Sequence, residues 1–160
     1  MVLPGSEGKM IRSVTDFDGW ASERAAAELD EPFTFVIGMD AGLRLASRRS
    51  EHVACAGGGR VLSAGEMGFS RESGRWAVIE VSNQSTGYCP DISSWPAVAE
   101  TLDRAGFDRP DGFTHELVFR RCERCQQHNI VREGEFVCVF CGSDLPATWN
   151  VDPATGDKGS

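Results

Sequence analysis

Cys122-Glu-Arg-Cys125 and Cys138-Val-Phe-Cys141 are two Cys-x-x-Cys pairs separated by twelve residues. A Cys-x-x-Cys turn sets two thiolates on one side of a tight backbone knuckle. Two facing knuckles form the tetrahedral sulfur cage that zinc prefers. Between them, Asn129–Glu133 and Glu135–Cys138 read as short strands hinged at Gly134, so a hairpin would return the second knuckle to the first. With cysteine at all four positions no coordination site is left for a reactive water, and such closed sites hold structure together. The expected cofactor is therefore one structural Zn2+ on Cys122, Cys125, Cys138 and Cys141.

Cys55 and Cys89 are left over. With His52 and Glu66 they make a second candidate group, on segments that a hairpin could bring together. Three chemistries are open there: a second zinc, a Cys–His nucleophile assisted by backbone N–H groups of Gly57–Gly59, or buried thiols beside a structural histidine. Glu66 reads more readily as a turn-stabilising carboxylate than as a general base, because one isolated carboxylate fixes no mechanism. Gly57-Gly-Gly59 lacks the Gly-Lys-Ser/Thr ending and the following helix of a phosphate loop, and reads as a turn. Asn83 to Thr86 are expected to satisfy turn backbone. His115, alternating with apolar neighbours, and His128, inside the ribbon hairpin, show no partner in the sequence.

These residues need elements to position them, and 160 residues with 41% hydrophobic content can build one core. Residues 1–12 read as a flexible leader. A helix is expected from about Asp16 to Leu29, capped by Ser13 or Asp16 and ended by Pro32. Phe33–Ile37 and Leu43–Ala46 form a hairpin, with Gly38 and Gly42 available for positive φ. Leu62–Phe69 and Arg75–Val81 form another. Ser93 or Ser94 caps a second helix, Pro96 fits its first turn and Gly106 stops it. Phe113–Phe119 alternates like a strand that delivers the chain to Cys122. The expected fold is α+β: antiparallel β-hairpins with two helices over residues 13–117, a four-Cys zinc ribbon over 118–150 and a flexible tail over 151–160.

The formal net charge is −8, and the acid sits outside the ribbon: residues 1–117 hold 11 basic and 18 acidic side chains, and 118–150 four of each. An acidic body repels phosphate backbones, so nucleic acid is an unlikely partner. Arg44, Arg48, Arg49 and Arg60 make a local basic run that reads as a solvated face. Arg120, Arg121, Arg124 and Arg132 would offer the ribbon to phosphates were Glu123, Glu133 and Glu135 not interleaved. No apolar run reaches the roughly 20 residues that cross a bilayer, and Met1–Ser13 lacks the apolar middle of a secretion signal. A cytoplasmic location is expected, and its reducing conditions favour thiolate–metal bonds over disulfides.

His52-Val-Ala-Cys-Ala-Gly-Gly, Ser63-Ala-Gly-Glu66, Ser82 to Pro90, Phe119-Arg-Arg-Cys122 and Leu145-Pro-Ala-Thr-Trp-Asn150 give residues 33–150 a likeness. The chain resembles a family of small bacterial, actinobacterial-type proteins that end in a zinc ribbon; the resemblance implies the fold and the metal but no activity. Its Arg- and Ala-rich usage suits a GC-rich bacterial genome. His52–Val61, Ala64-Gly-Glu66 and Ser85-Thr-Gly-Tyr-Cys-Pro90 are also similar to a β-rich module. That module occurs in plant IQ-motif calmodulin-binding proteins and some bacterial toxin-like proteins. Gly87 stands where the module has a second histidine, so chemistry needing that imidazole would be lost. The leading expectation is a zinc-ribbon binding or adaptor protein whose partner is another protein. The alternatives are an enzyme or small-molecule binder at a cleft around His52, Cys55, Glu66 and Cys89, and nucleic-acid binding through the ribbon.

Overall fold

The computed structural model describes residues 8–48, 50–85 and 88–151. The expectations for residues 1–7 and 152–160, and for Arg49 and Thr86, lie outside the described residues. Among the described residues no helix is long and apolar enough to cross a membrane.

The architecture is α+β. In chain order it runs β1 (Lys9–Ile11), α1 (Val14–Ala21), α2 (Ala26–Leu29), β2 (Phe33–Gly38), β3 (Leu43–Ala46), α3 (His52–Cys55), β4 (Val61–Glu72) and β5 (Arg75–Val81). A 3-10 turn over Ile92–Ser94 then leads into α4 (Trp95–Ala105), and β6 (Val118–Arg121) and β7 (His128–Val131) follow. The first five strands form one antiparallel sheet in the order β1-β3-β2-β4-β5, and β6-β7 form a separate two-stranded sheet.

Strand β2 lies at the centre of the large sheet and is buried on both faces, which its unbroken apolar run requires. Phe33, Phe35 and Ile37 face α1 and α4, where Phe17, Ala21, Val98, Leu102, Phe107 and Phe113 close the main core. Phe17 stacks on Phe69 with centroids 4.1 Å apart and meets Trp76 and Phe107 edge-on, the offset arrangements aromatic rings prefer. On the other face Val36 and Ala64 pack with Cys55 and Tyr88.

Several local expectations change in detail. Lys9–Ile11 are not loose: they pair with Leu43–Leu45 and give the sheet its fifth strand. Ser13 is the cap of α1, accepting from the Asp16 N–H at 3.1 Å. The expected single helix breaks, because the Glu23 and Arg24 N–H groups tighten onto Trp20 and Ala21 three residues back. Gly38 and Gly42 are not the left-handed residues of the β2-β3 turn; Ala41 is, at φ 63°. A Cβ at position 42 would sit 2.9 Å from the Met10 sulfur, so Met10 would have to turn aside to admit one. Gly106 does end α4 in the left-handed region, at φ 95°.

Residues 113–117, expected to be strand, instead run beside the end of β5. Thr114 N–H donates to the Val81 carbonyl, and Leu117 N–H donates to the Asn83 side-chain oxygen at 2.7 Å. Asn83 also donates to the carbonyls of Pro90 and Leu117, so one buried amide replaces a backbone partner on two segments. The boundary at residue 151 also moves: Val151 is buried against Cys89 and Phe119.

The tightest crossing is at Gly65. Ser82 N–H donates to the Glu66 carbonyl at 2.8 Å and Ser82 Oγ accepts from the Glu66 N–H, drawing the exit of β5 across β4. A Cβ on Gly65 would lie 1.9 Å from the Ser82 carbonyl oxygen, so backbone must move to admit it. Gly65→Ala is expected to cost about 3 kcal/mol, as severe overpacking does, and to lower the urea midpoint of unfolding; an unchanged midpoint would contradict this crossing.

Candidate metal centre

Each Cys-x-x-Cys segment folds into the same closed turn. Gln126 N–H donates to the Cys122 carbonyl and Cys122 N–H to the Gln127 carbonyl, both at 2.8 Å. In the second knuckle Gly142 N–H donates to the Cys138 carbonyl at 2.9 Å and Cys138 N–H to the Ser143 carbonyl at 2.8 Å. The residue after each second cysteine must be left-handed: Gln126 has φ 68° and Gly142 φ 79°. Gly142 announced that need in the sequence, whereas Gln126 gave no sign of it.

Strands β6 and β7 pair Val118 with Val131 and Arg121 with His128, and the first knuckle is the turn that joins them. Glu133 and Gly134, both at positive φ, then form a two-residue turn closed by Arg132 and Glu135. The second knuckle is thereby returned to the first. Cys122 Sγ lies 3.6 Å from Cys141 Sγ, and Cys125 Sγ 3.6 Å from Cys138 Sγ. All four sulfurs are within 4.8 Å of one another. A zinc–sulfur bond of about 2.3 Å sets the sulfur–sulfur edge of a tetrahedron at about 3.8 Å. The four cysteines could therefore hold a metal ion such as Zn2+.

The surroundings favour thiolates. Asn129 Nδ2 points at Cys138 Sγ at 3.5 Å, and the backbone N–H groups of Cys125 and Phe140 point at Cys122 Sγ and Cys138 Sγ at 3.4 Å. Burial pushes the Cys138 thiol up, but the donors from Asn129, Cys141 and Phe140 outweigh it and bring it down to about 6. The Gln127 backbone favours the Cys125 thiolate, yet desolvation and the neighbouring sulfurs push that thiol up to about 12. A divalent cation resolves the conflict by deprotonating coordinating thiols. Asn129 also accepts the Val139 N–H at 2.9 Å, tying the second knuckle to β7.

The other candidate residues occupy distinct surroundings. His52 Nε2 meets the Gly65 carbonyl at 2.7 Å; burial lowers its pKa below 6.5, opposed by that bond and by Glu66. Cys55 is buried beneath Gly8 and Arg44, and desolvation raises its thiol to about 12. The Glu66 carboxylate approaches Arg48 at 4.0 Å. Cys89 packs in a different cluster, with Phe119 and Val151, and burial raises it to about 11. Gly57 and Gly58 take left-handed turn conformations; the Gly59 N–H donates to the Ala56 carbonyl at 3.3 Å and the Gly59 carbonyl accepts the Tyr88 hydroxyl. His115 lines an open hollow with Arg48, Glu66 and Glu80. Arg120 is not a phosphate contact: it is buried, donates to the carbonyls of Phe119, Pro146 and Ala147, and lies over Phe136.

His128 is the residue that sequence reasoning missed. Its Nδ1 lies 3.7 Å from Cys89 Sγ, a pairing across 39 positions that no local spacing announces. The chain matches no protein-family model, no curated protein and no solved structure.

Asn129→Ala removes a donor to sulfur and the tie on the second knuckle, and is expected to weaken zinc binding about 10- to 100-fold in competition with a chromogenic chelator. Unchanged affinity would show that Asn129 does not tune the sulfurs. His52 sets a pH dependence with a definite sign. The unfolded chain takes up a proton near pH 6.5 while the folded imidazole resists it, so stability is full above that pH and declines as pH falls toward the lowered folded value. His52→Gln, which keeps a side-chain donor and does not titrate, should flatten that decline in urea midpoints measured from pH 7 downward; an identical slope would contradict it.

Proposed function

We propose that this is a cytoplasmic zinc-ribbon adaptor whose zinc is structural and whose second knuckle is the surface that meets another protein. The observation that carries the reading is the exposure of Val139 at 77% and Phe140 at 63%, inside a turn whose flanking residues are both metal-site cysteines. Val137, beside them, is 46% exposed. Large apolar side chains held in water by a closed turn lose little conformational freedom on binding, which favours association. Clustered exposed apolar groups are the usual mark of an interaction site.

Zinc in this reading supplies rigidity and no reaction, since four sulfurs complete its coordination. The nucleic-acid alternative is weaker, because Arg120 is engaged internally and the remaining ribbon arginines alternate with glutamates.

Val139→Ser with Phe140→Ser should leave zinc content and the thermal midpoint near those of the parent, because both side chains are exposed. Affinity purification from the native host is expected to recover a defined protein with the parent chain and to lose it with the double variant. Equal recovery with both would overturn the docking role of the knuckle.

A further inference from the structure

A groove of about 330 Å3 lies beside the second knuckle, lined by Cys89, Phe119, His128, Ile130, Val139 and Phe140. Asn129 and Arg132 also border it; the rest of its wall is aliphatic and aromatic, and its nucleophilic chemistry lies in one pair. Cys89 Sγ and His128 Nδ1 are 3.7 Å apart, the sulfur buried and the imidazole exposed. A thiol beside an imidazole, with room for a substrate, is the arrangement that nucleophilic sulfur chemistry uses.

The backbone holds the sulfur in place. Cys89 sits at φ 46°, a left-handed conformation unusual for a side chain of this type. Its N–H donates to the Ser85 carbonyl at 2.7 Å and its carbonyl accepts the Trp149 indole N–H at 2.9 Å. The following carbonyl, of Pro90, accepts from Asn83.

We propose that Cys89 and His128 form a thiol–imidazole pair that accepts an acyl group from an apolar acyl thioester, with the acyl chain lying against Phe119, Ile130, Val139 and Phe140. In the step His128 Nδ1 takes the Cys89 proton as Sγ bonds to the thioester carbonyl carbon. The carbon–sulfur bond to the carrier breaks, and His128 returns the proton to the departing thiolate. One thioester replaces another, so no oxidant or reductant is needed. An apolar acyl chain is the substituent the apolar part of this wall favours, because its methylenes leave water on binding there. The un-ionised thiol depends on a base, which gives His128 its role.

The test incubates the full-length, zinc-loaded protein with the decanoyl thioester of N-acetylcysteamine and follows adducts by intact mass and peptide mapping. A single hydroxylamine-labile adduct on Cys89, forming faster than any on Cys55, is expected. His128→Gln should slow it about a hundredfold, within the range of general-base catalysis. Val139→Asp, at an exposed position, should slow decanoyl transfer more than acetyl transfer, with circular dichroism and zinc content unchanged. No Cys89 adduct on the parent protein, equal rates at Cys55 and Cys89, or an undiminished rate in His128→Gln would each overturn the proposal.

Discussion

Four thiols crowded within 4.8 Å cannot all ionise without a cation among them, and the fold of residues 118–151 is arranged around that constraint. Around the knuckles themselves the ribbon has little else to hold it. Its sheet has two short strands, and the apolar cluster beside the knuckles adds only Leu145, Val131 and Phe136 to the cysteines. A metal bond network would supply what so small a core lacks. The donors aimed at sulfur from Asn129, Cys125 and Phe140 then become a coordination shell that orients the ligands rather than decorating them.

The ribbon is not an independent appendage. Phe119 and Ile130 from its strands pack with Cys89, Trp149 and Val151, so the segment after β5 and the end of the described chain share one apolar cluster with it. Asn83 fastens the same junction from the body side by bonding Pro90 and Leu117. A metal held by the four cysteines would thus stabilise a surface assembled from both parts, and the Cys89–His128 pair lies on that seam. The exposed knuckle and the groove beside it are consequences of one rigid turn.

Local patterns carried most of the architecture. Both hairpins of the large sheet, the helix that follows Pro96 and the cysteine knuckles are visible in spacing, because period-two alternation, turn glycines and Cys-x-x-Cys are short-range signals. What the sequence hid was decided by side chains acting at a distance. Asn83 turned the expected strand at 113–117 into a bonded loop, and Lys9–Ile11 became ordered only because β3 offers them an edge. The expected meeting of His52, Cys55 and Cys89 failed to foresee that Cys55 and Cys89 pack in separate clusters, while His128 reaches Cys89 through the pairing of β6 and β7.

The central claim is that a zinc ion holds the ribbon together. The direct measurement is elemental analysis of the purified chain joined to hydrogen exchange before and after chelation. One zinc per chain is expected, with chelation abolishing protection across residues 118–150 while β2 and β4 stay protected. A chain that carries no metal, or whose ribbon amides exchange equally slowly after chelation, would contradict it.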